Sequence, residues 1–189
     1  FNIGGGTHHA YPSWGEGFCI LNDIAIASRY LLDKGLAKKI LVLDLDVHQG
    51  NGTAAIFSND PKVFTFSMHG RENYPLRKEK SDLDIPLESN TQDDEYLKIL
   101  NQHLDKVIDK SLPDIIFYQA GVDVLEVDVL GKLSLSKEGC KNRDSMVLQA
   151  CYLKQIPVVI TTGGGYASRI YDIVDAHSNT FKIGLELYS

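Results

Sequence analysis

Four short apolar runs, Ile40–Asp46, Lys62–Met68, Ile115–Gly121 and Pro157–Thr162, each break into polar or Gly-rich sequence at the carboxyl end, the pattern of buried strands. A fifth run, Thr180–Leu185, reads as a last strand. Between them the apolar positions recur at helical spacing. One helix is predicted from about Ile20 to Lys34 with Gly35 as its C-terminal stop, and a short one over Asn51–Phe57. Another covers Asp93–Lys110, with Leu97, Leu100, Leu104, Val107 and Ile108 on one stripe and acidic residues at its start. A fourth is capped by Ser136 and runs to about Lys154, and a fifth follows Tyr166. Strands alternating with helices predict an α/β fold of three layers, a mostly parallel sheet with helices on both faces.

Two segments read as loop. Gly4 to Gly17 carries the glycines, Pro12 and the His8-His9 pair, and Gly70 to Pro86 is charged and Pro-bearing. The chain opens at Phe1-Asn2-Ile3-Gly4 in what reads as a strand end entering a Gly-rich turn. That opening leads us to expect an N-terminal portion of the domain beyond this sequence, with residues 1–189 forming one domain.

Composition narrows the classes. No apolar run has the length of a membrane span, so no membrane association is expected. A net charge of -6 argues against a nucleic-acid surface. Cys19, Cys140 and Cys151 have no metal-type spacing and read as reduced, buried thiols, which fits an intracellular setting, cytoplasm or nucleus. The sequence does not specify an oligomeric state.

The chemistry gathers on one sheet edge. Asp44 and Asp46 are two apart and share a strand face, with His48 just beyond. An Asp and a His leaving a buried strand suit a mononuclear metal site; the bland alternative is a D-x-D turn that caps the next helix. Asp46, His48, Ser67, Asp128 and Tyr166 all fall at or after strand carboxyl ends, which converge in an open parallel sheet. Asp46, His48 and Asp128 as three ligands would leave a fourth position open, as in catalytic zinc sites. The His8-His9 pair could then supply a general base.

The motifs Gly4-Gly5-Gly6-Thr7-His8-His9-Ala10, Gly17-Phe18-Cys19, Asp44-Leu45-Asp46-Val47-His48-Gln49-Gly50-Asn51-Gly52, Ala120-Gly121-Val122-Asp123 with Asp128-Val129-Leu130-Gly131, and Gly163-Gly164-Gly165-Tyr166 resemble the zinc-dependent histone deacetylase superfamily, in order and approximate spacing. Asn51 and Thr91-Gln92-Asp93-Asp94-Glu95-Tyr96-Leu97 look most like its class IV branch. The resemblance implies an arginase/deacetylase-like fold and one Zn²⁺ per chain on Asp46, His48 and Asp128. It implies a structural K⁺ or Na⁺ near Asp44, Ser67 and Met68. Asp44 would hydrogen-bond His8, and Asn51 would orient His9 as general base and later acid, with His8 mainly electrostatic. Tyr166 would stabilise the oxyanion, and Gly17, Phe18, Tyr74 and Leu135 would wall a channel for an acylated lysine stem.

The implied activity is removal of acetyl or other acyl groups from lysine side chains of histones or other proteins. Alternatives are deacetylation of a small acylated amine such as an acetylpolyamine, or a non-catalytic binding module on the same fold. Related arginase-like hydrolases use two Mn²⁺ ions and more carboxylates, which the Asp-x-His pair and single further Asp disfavour. A family N-terminal portion that supplies strands and a rim loop is not represented in this sequence.

Overall fold

The computed structural model describes residues 2–188. Five strands, β1 (Ile40–Asp44), β2 (Val63–Gly70), β3 (Leu83–Leu87), β4 (Ile115–Gln119) and β5 (Val158–Thr161), form one parallel sheet in the order β3-β2-β1-β4-β5. The helices are α1 (Asp23–Asp33), α2 (Asn51–Phe57), α3 (Asp93–Ser111), α4 (Lys137–Leu153) and α5 (Ile170–Tyr188). No helix among the described residues is long and apolar enough to cross a membrane.

Side-chain alternation along β1 builds the three layers. Leu41 and Leu43 join Tyr96, Leu100 and Leu104 of α3, Val147 and Leu148 of α4, and Ala176 and Ile183 of α5 in one core. Ile40 and Val42 point the other way, into a smaller core with Ile24 and Ala25 of α1 and Phe57 of α2. Each fully buried Leu or Ile contributes roughly 1.5–3 kcal/mol of transfer free energy. The fully buried β1, flanked on both sides, is therefore the strand least able to shift register.

The ends follow local chemistry. Asn22 caps α1 by accepting from the Ala25 N–H at 3.0 Å, which leaves Ile20 and Leu21 outside the helix and exposed. Ser136 caps α4 as expected, accepting from the Gly139 N–H at 3.0 Å. Cys19, Cys140 and Cys151 are buried free thiols. At the chain start Asn2 bridges Thr161 in parallel, its N–H donating to the Ile160 carbonyl at 2.8 Å; Phe1 lies outside the described residues.

Two expected elements are corrected. Thr180–Leu185 is not a strand but part of α5. Phe181, Ile183 and Leu185 alternate like a strand, yet Ala176, Thr180 and Ile183 are buried at helical spacing against the sheet. The segment from Gly70 to Pro86 is not all loop, because its end forms β3. Pro86 is tolerated there because β3 is an edge strand, paired only with β2.

The strand order places the site. The chain leaves β1 toward β2 on one side and returns to β4 on the other, so the crevice beyond the carboxyl ends of β1 and β4 is a topological switch point.

Candidate metal and catalytic site

Asp46 and His48 follow β1, and Asp123 follows β4, so the switch point brings them together. His48 Nδ1 lies 3.1 Å from Asp46 Oδ1 and 3.0 Å from Asp123 Oδ2. One ligand atom from each of these buried residues falls within 4.8 Å of the other two. The carboxylates are aimed by backbone donors: the Gly164 N–H donates to Asp46 Oδ2 at 2.8 Å and the Val47 N–H to Asp123 Oδ1 at 2.9 Å. Two buried carboxylates facing one imidazole, with no Lys or Arg between them, are a donor set that fits a divalent cation. The local electrostatics carry the same sign. Burial and the Asp46 charge push Asp123 up to about 7. Burial opposes the charged form of His48, but Asp123 and Asp46 outweigh it and raise the imidazole to about 10. A proton is held where three ligands converge.

Asp128 is not part of this cluster, which corrects the ligand expected from sequence. Its Oδ2 accepts from the Tyr166 N–H at 2.6 Å, and its Oδ1 accepts from the N–H groups of Leu130 and Gly131, both at 2.8 Å. All of these bonds pin loops. Asp123, two residues past the Gly121 that closes the predicted strand, occupies the place given to Asp128. The sequence held the signal, because the residue nearer the strand end is better placed to reach β1.

The histidine pair sits beside the cluster. His8 Nδ1 lies 2.6 Å from Asp44 Oδ2, His9 Nδ1 lies 2.7 Å from Asn51 Oδ1, and the two Nε2 atoms are 3.2 Å apart. Burial works against a charged His8, but Asp44 and Asp46 outweigh it and lift the imidazole to about 9. His9 has no carboxylate partner. Burial and the neighbouring His8 charge push it down to about 3, so it is a neutral base beside a cationic neighbour.

A cleft of about 370 Å³ opens over this group, lined by His9, Gly17, Phe18, His48, Glu72, Asn73, Tyr74, Leu130, Lys132 and Tyr166. Gly17 adopts φ +58°, and a Cβ there would come within 2.8 Å of the His9 ring, so only glycine lets this wall approach. Phe18 and Tyr166 face each other with ring centroids 5.8 Å apart, and Tyr74 meets the His9 ring edge-on at 5.1 Å. The Tyr166 ring stands 6.1 Å from His48, and burial pushes its phenol upward, so it is a hydrogen-bond donor. Leu135 is corrected: it is fully buried in the larger core, with its N–H on the Val124 carbonyl, and Leu130 lines the cleft instead.

Ser67 and Met68 lie on β2, and Ser67 is the register partner of Asp44. The Ser67 hydroxyl is 2.9 Å from His69 Nδ1 and Met68 is fully buried. Two supporting residues escaped the sequence reading. Arg143, wholly buried on α4, donates to the carbonyls of Leu45 at 3.2 Å and Gly121 at 2.7 Å, tying together the backbones that lead into Asp46 and Asp123. Its charge is balanced by Asp144 at 2.8 Å. Glu16 is the other.

Comparison with known proteins identifies the family. Residues 1–180 match the histone deacetylase domain model. The chain belongs to the histone deacetylase family. It is 50% identical over 187 residues to an uncharacterized protein of Picosynechococcus sp., covering 99% of this chain and 62% of that protein. It is 35% identical to histone deacetylase 2 of Arabidopsis thaliana, covering 97% of this chain and 49% of the relative. The crystal structure of an HDAC homolog from Aquifex aeolicus superposes with a TM-score of 0.81, at 27% identity over 95% of this chain and 50% of that one. The chain thus spans less than two thirds of each of these relatives.

Proposed function

We propose that the protein is a zinc-dependent amidohydrolase that removes acetyl or other acyl groups from lysine side chains. The observation that carries this reading is the convergence of Asp46, His48 and Asp123 beside a neutral His9 at the floor of an aromatic-walled cleft. Asp46, His48 and Asp123 would hold Zn²⁺, which when bound supplies Lewis-acid polarisation of the amide carbonyl and acidification of water. The narrow cleft between Phe18, Gly17 and Tyr166 suits an unbranched lysine stem. His9, neutral through its low proton affinity, takes a proton from the attacking water and returns it to the departing amine. His8, charged on Asp44, adds positive potential where the oxyanion develops. The Tyr166 hydroxyl donates to that oxygen, a contact worth roughly 10²–10³ in rate when an oxyanion donor is removed. Asp44 with the Ser67 and Met68 region of β2 is proposed as the seat of a K⁺ or Na⁺, and residues 1–189 as one deacetylase-like catalytic unit.

The test is turnover of an acetyl-lysine peptide by the zinc-loaded protein. We expect chelation to abolish it and Tyr166→Phe to lower kcat by roughly 10²–10³ with a smaller change in KM. Turnover unaffected by either treatment contradicts the reading. An acetylpolyamine assayed alongside distinguishes a small-amine substrate from a protein one.

A further inference from the structure

Asn51 turns its Oδ1 toward His9, and its other side faces Glu16. Asn51 Nδ2 donates to Glu16 Oε1 at 2.7 Å, and Tyr11 Oη lies 3.2 Å away. Glu16 is half-buried and held from three directions: the Tyr74 hydroxyl donates to Oε1 at 2.7 Å and the Trp14 indole N–H to Oε2 at 3.1 Å. Burial raises the Glu16 carboxyl, but these donors outweigh it and keep it below the usual range, so it stays ionised.

An ionised carboxylate accepts and cannot donate, whereas a primary amide has one face of each kind. The amide edge facing Glu16 must therefore be the NH₂, which leaves Oδ1 for His9. Oδ1 can only accept, so His9 Nδ1 must carry the proton and Nε2 must keep its lone pair. On the other side the geometry keeps His9 Nε2 facing the site: His8 Nδ1 is 2.6 Å from Asp44 Oδ2, and the two Nε2 atoms are 3.2 Å apart. One directed chain runs from the His9 Nδ1–H through the Asn51 amide to the Glu16 carboxylate. Resting on the deacetylase reading for its consequence in turnover, we propose that Glu16 is a positioning residue that fixes the Asn51 amide and thereby the Nδ1–H tautomer that lets His9 act as a base. The same contact accounts for an amide at position 51. An aspartate there would set two carboxylates at the present 2.7 Å separation.

Long-range ¹H–¹⁵N correlation spectra of the imidazoles in the zinc-loaded protein test this without substrate. We expect wild-type His9 as a single Nδ1–H tautomer and Glu16→Ala as a mixture, with kcat reduced roughly tenfold or more, bounded above by the roughly 10²–10⁴ that general-base catalysis supplies. Glu16→Gln retains an acceptor oxygen and should restore the single tautomer. A wild-type Nε2–H tautomer overturns the proposal whatever the variants do, and so does a wild-type pattern in folded Glu16→Ala. Absence of acetyl-lysine turnover with the Nδ1–H tautomer intact would instead count against the deacetylase reading alone.

Discussion

The Asp128 carboxylate closes on the backbone nitrogen of Tyr166 at 2.6 Å. With Leu130 and Gly131 on its other oxygen, it fastens two walls of the cleft to each other. Asp128 therefore supports the cleft and lies outside the cluster of Asp46, His48 and Asp123. Asp128→Ala should keep the full metal content while lowering kcat by roughly tenfold to hundredfold, since about 1 Å of misplacement near reacting atoms costs up to 10². Parallel metal analysis and steady-state kinetics check this.

Metal-free protein should lose stability as pH rises from 6.5. His8 is raised to about 9 and His48 to about 10 from 6.5, so over that window the folded state holds protons that the unfolded chain has released. Their contribution is complete below 6.5 and falls away through the folded values. His9, at about 3, is neutral in the folded state throughout this range, and the unfolded chain's His9 sheds its remaining proton just above 6.5, so it offsets the loss only at the lower edge of the window. Thermal melts between pH 6.5 and 9.5 should show a falling Tm. A flat or rising Tm contradicts the assigned charges.

Arg143 is the buried cation under the site. Arg143→Met leaves Asp144 without its cation, and the Leu45 and Gly121 carbonyls lose a shared donor. Breaking a buried pair in this way costs about 3–5 kcal/mol. Denaturant unfolding should register that loss, together with weaker metal retention because the two ligand-bearing backbones are no longer tied.

Much of the fold was legible because β1, β2, β4 and β5 are buried runs ending in polar or Gly-rich sequence, and the doubly wound order follows from alternation with helices. The two misread stretches had physical causes. Phe181 to Leu185 carries strand-like and helix-like spacing at once, and Pro86 signals loop although an edge strand tolerates it. At the site, the His8–Asp44 and His9–Asn51 contacts match the expected pairs. Asp123 and Asp128 were distinguishable only by distance from the strand end, and Leu130 and Leu135 only by which one the loop turns outward. Glu16 and Arg143 gave no local signal, because the contacts that tie them to the site, Glu16 with Asn51 and Arg143 with the Gly121 and Leu45 carbonyls, span 35, 22 and 98 residues and form only in the folded chain.

Zinc content of ligand variants tests the central claim most directly. One equivalent of Zn²⁺ per chain is expected in the wild type and in Asp128→Ala, and near none in Asp123→Ala, with the fold of each verified by circular dichroism. Zinc retained by folded Asp123→Ala but lost from Asp128→Ala would contradict the site described by Asp46, His48 and Asp123.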